Sequence, residues 1–300
     1  MSIILISGSS TGIGYATAET LARNGHTVYA TMRDPQPSPQ LQQMADANHL
    51  PISILPMDVL DDQSVQKAID FVLSKEKHID VLVNNAGIGS WGAVEELSMD
   101  LFKADMETNF FGTVRCTKAV LPAMRERKSG TIINVTSGAG KVYLNFFATY
   151  CASKAATEAF SESLAQELQP FNIKVSIVEP GFVDTPIFSK TNIVSEDTNY
   201  SNIKRFLSFF AASLEYASPP SLVAEVIKEI VSGERTTLRS TAGPDAAAML
   251  QMRASTSDED WINSVAVSDE DWINGMEQMG LQVRKYMQAE GFPKFGAREM

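Results

Sequence analysis

Apolar residues along this chain recur with two alternating periods. Short aliphatic and β-branched runs, at Ile3 to Ile6, Thr27 to Thr31, Ile52 to Leu55, Val81 to Asn84, Thr131 to Val135 and Lys174 to Val178, are each bounded by turn residues and read as strands. Between them, helical spacing predicts helices over Asp62 to Ser74, Met99 to Arg127 and Thr149 to Leu168. Strands that are apolar throughout fit burial on both faces. The alternation therefore predicts an α/β protein with a doubly wound parallel sheet and helices on both sides. A further helix, Ser221 to Val231, and a last strand, Thr237 to Arg239, would finish a single domain over residues 1–245, followed by an extension over 246–300. Ligands of such sheets bind outside the carboxyl ends of the strands, so the residues after each strand are where chemistry is expected.

Those residues are distinctive. The first strand runs into Ser7-Gly8-Ser9-Ser10-Thr11-Gly12-Ile13-Gly14, and helical periodicity then continues from Ile13 to the stop signal Asn24-Gly25. Glycines at 8, 12 and 14 would let the backbone turn tightly and approach a pyrophosphate seated at the helix N-terminus. Their spacing, G-x-x-x-G-x-G, differs from the commoner G-x-G-x-x-G. Asn84-Asn85-Ala86-Gly87, Asn109, Ser137, Tyr150, Lys154 and Pro180-Gly181 follow in order. Tyr150 and Lys154 stand one helical turn apart on one face, so the cation is expected to favour the phenolate and lower the tyrosine pKa. Taken alone, Y-x-x-x-K is common on amphipathic helices; its meaning comes from the residues around it.

This ordered set, over about residues 1–190, resembles the short-chain dehydrogenase/reductase family. The Ala30-Thr31-Met32-Arg33-Asp34 turn and the apolar residues before Tyr150 are similar to its steroid and retinol dehydrogenase branch. The resemblance implies a Rossmann fold and hydride transfer between a nicotinamide and a carbonyl or alcohol carbon. It makes Tyr150 the general acid in reduction and the base in oxidation, and has Ser137 hydrogen-bond the reacting oxygen. It has Lys154 bind the nicotinamide ribose, and Asn109 hold a water that connects Lys154 to solvent. Thr136 is a rival to Ser137, and Asn109 could instead be an ordinary polar helix residue. As a mediocre helix former inside a long helical pattern, Asn109 is expected to produce a local kink.

The same resemblance implies cofactor contacts from Gly8, Ser10, Thr11, Gly12, Ile13 and Gly14 at the pyrophosphate. It adds Asp58 and Val59 at the adenine, Asn85, Ala86 and Gly87 beside the adenosine half, and Val183 and Thr185 at the carboxamide. Asp58 could equally belong to an acidic helix start with Asp61 and Asp62. At the end of the second strand, a carboxylate would bind the adenosine ribose hydroxyls, whereas an arginine would pair with a 2'-phosphate. Thr31 or Met32 stands where the carboxylate belongs and Arg33 follows, so NADP(H) is favoured over NAD(H). The alternative is that Asp34 turns back toward the ribose.

Composition narrows the reading. A chain of 300 residues with 44% hydrophobic and 20% charged content can bury a large core. A net charge of -11 argues against a nucleic-acid surface. Cys116 and Cys151 lie within apolar helical patterns, which speaks against a disulfide framework and for a cytoplasmic protein. The run Ile3 to Ile6 is too short for a signal segment or a membrane span. His26, His49 and His78 are scattered, so no metal is expected. A homodimer or homotetramer, joined through the helices around 99–127 and 149–168, is what the resemblance implies.

Beyond the glycine and tyrosine motifs, residues 186–216 are rich in large apolar groups: Ile187, Phe188, Ile193, Tyr200, Phe206, Leu207, Phe209, Phe210 and Leu214. The family's substrate lid occurs here, which would suit an apolar ketone, aldehyde, steroid or retinoid; the alternative is a pair of helices that covers the sheet edge. Val142, Tyr143, Leu144, Phe146 and Phe147 add to the apolar surroundings of Tyr150. In the extension, Ser257-Asp258-Glu259-Asp260-Trp261-Ile262-Asn263 recurs as Ser268-Asp269-Glu270-Asp271-Trp272-Ile273-Asn274. Each copy begins like a helix N-terminus, with serine as cap and carboxylates in the first turn. The copies are either solvated helix starts or a contact to a neighbouring subunit anchored by Trp261 and Trp272. A function of another class, a cofactor-sensing or scaffolding protein that keeps the fold without turnover, is disfavoured by the intact Ser137, Tyr150 and Lys154.

Overall fold

A computed structural model describes residues 1–187 and 198–293. Its strands are β1 (Ile3–Ile6), β2 (Thr27–Met32), β3 (Ile52–Pro56), β4 (Val81–Asn84), β5 (Gly130–Val135), β6 (Ile173–Pro180) and β7 (Arg239–Ala242). They form one parallel sheet in the order β3-β2-β1-β4-β5-β6-β7. The expected last strand was placed early. The pairing of Ile177 to Pro180 with Arg239 to Ala242 sets its register, and the Thr237 hydroxyl, which donates to the Arg239 carbonyl, belongs to the turn before it.

The helices are α1 (Gly12–Arg23), α2 (Gln40–Ala47), α3 (Asp62–Glu76), α4 (Met99–Asp105), α5 (Gly112–Arg127), α6 (Ala148–Leu168), α7 (Ile203–Leu214), α8 (Pro220–Ser232), α9 (Pro244–Ser255), α10 (Asp258–Asn263), α11 (Asp269–Gln278) and α12 (Arg284–Gln288). Because successive strand residues point to opposite faces, Ile4 and Ile6 pack under α1, α2 and α8 with Leu21, Leu41 and Ile227. Ile3 and Leu5 pack on the other face with Ile69 of α3, Val120 of α5 and Leu164 of α6. Each such side chain taken from water contributes roughly 2 kcal/mol. This double coverage is why the strands lack a polar stripe. Cys116 and Cys151 are both free and buried. Among the described residues, no helix is long and apolar enough to cross a membrane.

The expected helix from Met99 to Arg127 is interrupted. Residues Met106–Phe111 form a π-helical turn between α4 and α5, at the position where Asn109 predicted a kink. The cause is tertiary as well as local, because the Asn109 amide donates to the Ile88 carbonyl and to Ser153, 2.9 and 2.8 Å away.

Past β7 the chain stays on the domain. Residue 245, the expected end of the domain, falls in the first turn of α9, where the Asp245 carboxylate accepts the Phe182 amide at 2.6 Å. Ser257 and Ser268 cap α10 and α11 as their sequences foretell. Each accepts the amide three residues on, from Asp260 and Asp271 respectively, at 3.1 Å, and donates its hydroxyl back to that residue's carboxylate. Both tryptophans contact their own chain: Trp261 donates to the Tyr143 carbonyl, and Trp272 packs beside Ala212 of α7.

Candidate active site

The site lies at the carboxyl ends of β1, β4 and β5, where the sheet order reverses between β1 and β4. To pass from β1 into α1, the backbone adopts left-handed conformations at Gly8 and Gly12, with φ of 69° and 60°. A Cβ at Gly8 would come within 2.7 Å of the Ala86 Cα, so a side chain here would push the two strand ends apart. Thr11, at the start of α1, makes no side-chain cap, which leaves the first-turn amides of the helix to a ligand in the cleft. Gly14 has another task. Its Cβ would meet the Gly8 carbonyl at 2.3 Å, so it packs beneath the turn and does not line the cleft. Asn85 supports the same turn, donating its amide to the carbonyls of Ser7 and Gly8 at 3.0 and 2.9 Å.

From this turn a cleft of about 730 Å³ extends both ways. At one end are Arg33, Asp58 and Val59; Ser10, Thr11, Gly12, Ile13, Asn85, Ala86 and Gly87 line the middle; Tyr150, Lys154 and Thr185 close the other end. Arg33 is exposed at the rim. Asp34 does not line the cleft, and its carboxylate accepts the Gln36 amide at 3.0 Å, so the alternative in which it faces a ribose is not adopted. The acidic cluster divides in the same way. Asp61 caps α3 through the amides of Gln63 and Ser64, while Asp58 stays at the cleft and accepts the Leu60 amide. Ile88, Leu60 and Thr108 also line the cleft and have no signature in the sequence.

A second, smaller pocket of about 100 Å³ adjoins the first. Ser137 and Val183 open into it, together with Val142, Leu144, Phe147, Phe182, Phe210 and Met249. Tyr150, Thr136, Ile13, Thr185 and Ile187 border both hollows. Phe147 stacks on the Tyr150 ring with centroids 4.6 Å apart, and Trp91, which is 1% exposed, packs edgewise on Phe206 and Phe210 behind it. Of the expected lid residues, Phe188 and Ile193 lie outside the described residues. Phe206, Leu207 and Phe210 come from a single helix, α7, that packs on this aromatic cluster.

The polar groups around Tyr150 are tightly placed. The Lys154 ammonium is buried, donates to the Val135 carbonyl at 3.0 Å and lies 5.6 Å from the Tyr150 ring centre. Burial pushes its pKa down to about 8, against the attraction of Asp105 and Glu158. Burial also raises the Tyr150 phenol above its ordinary value, and the hydrogen bond with Ser137 only partly offsets this. The expected lowering by Lys154 is thus not what this chain by itself produces: desolvation decides the direction, with the ammonium 5.6 Å from the ring centre. Thr136 is withdrawn from competition with Ser137, because its hydroxyl donates to Glu158 at 2.7 Å. Asn109 is 2% exposed; its side-chain oxygen accepts the Ile88 amide, and its main-chain carbonyl takes the hydroxyls of Thr113 and Thr157 at 2.9 and 3.3 Å.

Residues 2–195 match the family model for short chain dehydrogenases. The chain belongs to the short-chain dehydrogenase/reductase family. It is 36% identical to a 3-ketodihydrosphingosine reductase of Bacteroides thetaiotaomicron, over 81% of this chain and 88% of that one. It is 37% identical to retinol dehydrogenase 8 of Bos taurus, over 84% of each. Among solved structures, a short-chain dehydrogenase of Streptomyces avermitilis superposes with a TM-score of 0.74 at 32% identity, covering 93% of this chain and 98% of that chain. A metagenomic short-chain oxidoreductase in complex with NADP gives 0.65 at 25% identity, with 80% and 96% covered.

The chain is therefore an oxidoreductase of a family that binds a nicotinamide cofactor. Its cleft fits that group on its own evidence: glycines where a Cβ would close the turn, uncapped amides at the α1 N-terminus, and a cationic rim at Arg33. Among the buried acids that escaped the motif reading, two lie on the helices that carry Asn109 and Tyr150 or lead into them. Asp105, 0% exposed, accepts the Ser90 amide and hydroxyl, and burial raises its pKa although Thr149 and Ser90 hydrogen-bond to it. Glu158, 2% exposed, is held by Thr136 and by Arg239 at 3.0 Å. Its spacing of one turn beyond Lys154 was the signal available for it.

Proposed function

We propose that the chain is an NADP(H)-dependent oxidoreductase that exchanges a hydride between the nicotinamide and the carbonyl or alcohol carbon of an apolar substrate. The observation that carries this reading is that Tyr150 borders both hollows: a glycine-edged cleft that carries Arg33, Asp58, Asn85 and Lys154, and a pocket whose walls are mostly aromatic and aliphatic. The nicotinamide, when bound, supplies or takes the hydride; the chain's own residues manage the oxygen and its proton. Tyr150, with its raised pKa, is protonated at neutral pH and donates to the carbonyl oxygen as reduction proceeds. Ser137, which faces the same pocket, hydrogen-bonds that oxygen and stabilises the charge that develops there. Lys154, with a pKa of about 8, remains mostly cationic at pH 7, so it stabilises the phenolate left behind and holds the nicotinamide ribose. Asn109 positions this group by clamping the Ile88 backbone and Ser153.

Arg33 supports the choice of NADP(H). It is a cation lining the cleft directly after β2, where the 2'-phosphate would lie, and Asp34 is occupied by its own turn. Homo-oligomerisation through α4, α5 and α6 belongs to the same reading, with Phe111 exposed beside the Phe110 and Phe160 pair. So does a cytoplasmic setting, with which the two buried free cysteines agree.

The decisive assay follows NADPH oxidation with a panel of ketones, aldehydes, retinoids and steroids. Tyr150→Phe should lower kcat about 1,000-fold while leaving the Kd for NADPH within about two-fold, since proton transfer is lost and cofactor contacts are kept. Equal turnover by the two proteins would overturn the assigned role.

A further inference from the structure

The duplicated segment is the one sequence motif that the cleft and pocket do not use, and its two copies grip the two walls of the apolar pocket. The first copy holds the segment before Tyr150. Trp261 donates its indole N–H to the Tyr143 carbonyl at 3.1 Å, and the Arg253 guanidinium lies over the Trp261 ring, 5.4 Å from its centre. Arg253 is on α9, as is Met249, which lines the pocket, and it also pairs with Asp258 of the same copy. On either side of Tyr143, Val142 and Leu144 line the pocket.

That segment needs outside support. Phe146 has φ 59°, a left-handed conformation that a bulky residue keeps only when its surroundings impose it. From the inside, the Phe146 carbonyl accepts the Gly92 amide at 2.8 Å; from the outside the chain is held by Trp261.

The second copy holds the opposite wall. Arg205 of α7 donates to Asp269 at 2.6 Å and to the carbonyls of Val265 and Val267, which join the two copies, at 3.2 and 2.8 Å. Trp272 and Ile273 pack with Ala212 on the same helix. Adjacent to Arg205, Phe206 turns into the aromatic cluster, and Phe210 lines the pocket.

We propose that the duplicated segment is the specificity brace of the substrate pocket, with Trp261 and Arg205 as positioning residues that set the separation of its two walls. This rests on the reading of the apolar pocket as the substrate site. The cofactor cleft touches neither copy, so loosening the brace should change the fit of a bulky apolar carbonyl substrate and leave the NADPH affinity and the turnover of a small ketone unchanged.

The test compares the full-length wild type with Trp261→Ala, Trp261→Phe and Arg205→Met. Trp261→Ala should raise KM for the bulkiest accepted carbonyl about five-fold, the size expected from loss of one hydrogen bond and its packing. Its kcat/KM for a small ketone and its Kd for NADPH should move less than about two-fold, as should kcat with the bulky substrate. Trp261→Phe, which keeps a ring under Arg253 and loses the N–H, should lie between. Amide exchange in residues 142–147 should accelerate in Trp261→Ala and not in Arg205→Met. An unchanged KM with unchanged exchange overturns the brace, and so does an equal loss with small and bulky substrates. A wild type that reduces no carbonyl overturns instead the reading of the pocket, and the exchange result then still decides whether Trp261 holds the 142–147 segment.

Discussion

On one side of Tyr150 the cleft is edged by glycine backbone, at Gly8, Gly12 and Gly87, whereas on the other side the pocket is walled by side chains from separate parts of the chain, Leu144, Phe147, Phe182, Phe210 and Met249. Where the neighbour is main chain, as Ala86 is to Gly8 and the Gly8 carbonyl is to Gly14, no added atom is tolerated, because the main chain cannot move aside. A wall of aromatic side chains changes shape with every substitution and keeps its place in the fold. Under the proposed function, the difference separates the wall that meets the cofactor from the wall that selects the substrate.

The largest break in this comparison is expected from Gly14→Ala. A Cβ there would sit 2.3 Å from the Gly8 carbonyl, so the turn must shift. Stability should fall by about 3 kcal/mol, measured by urea denaturation, and NADPH binding should be lost with it. Arg33→Ala probes the cleft without touching its backbone. The Kd for NADPH should rise about ten-fold and that for NADH should stay constant, because one charge-assisted contact is removed from an exposed side chain. Unchanged discrimination would remove Arg33 from the account.

On the side-chain wall, Phe210→Leu should cost about 1 kcal/mol of stability. It should shift KM among apolar carbonyls by several-fold with the Kd for NADPH constant; a change in cofactor affinity would show that the two walls are not independent. A last effect, confined to stability and to one pH range, sharpens the electrostatics beneath both. Burial, with the like charge of Glu158, pushes the Glu179 carboxyl up to about 7. The folded chain therefore binds a proton that the unfolded chain releases between roughly pH 4.5 and 7, and stability falls as pH rises through that window. Glu179→Gln should match wild type near pH 5 and be more stable by about 2 kcal/mol near pH 8, read from urea midpoints at the two values.

Much of the cleft could be read directly. Strand ends place their following residues in one row, so Gly8, Asn85, Ser137 and Thr185 meet without further information. What could not be read are effects of distance. Gly14 looks like a ligand contact in sequence, yet it packs beneath the Gly8 turn, and Asn85 lines the cleft while its amide also ties that turn. Tyr150 and Lys154 share a helix face, but the sign of the tyrosine shift depends on how deeply both are buried, which spacing does not state. Thr136 and Ser137 are adjacent and similar; only the approach of Glu158 from α6 assigns one to structure and leaves the other for the pocket. In the tail, the serine caps were legible, and the surfaces that the tryptophans reach were not.

By itself the sequence determined the parallel α/β sheet, the glycine turn, the order of the polar groups and their family, because each depends on contacts between near neighbours or on strand periodicity. Tertiary structure alone decided which polar groups face the cleft, which way burial moves their protons, and how the repeated tail reaches the pocket. Those depend on desolvation and on contacts between residues far apart in the chain, such as Tyr143 with Trp261 and Arg205 with Asp269.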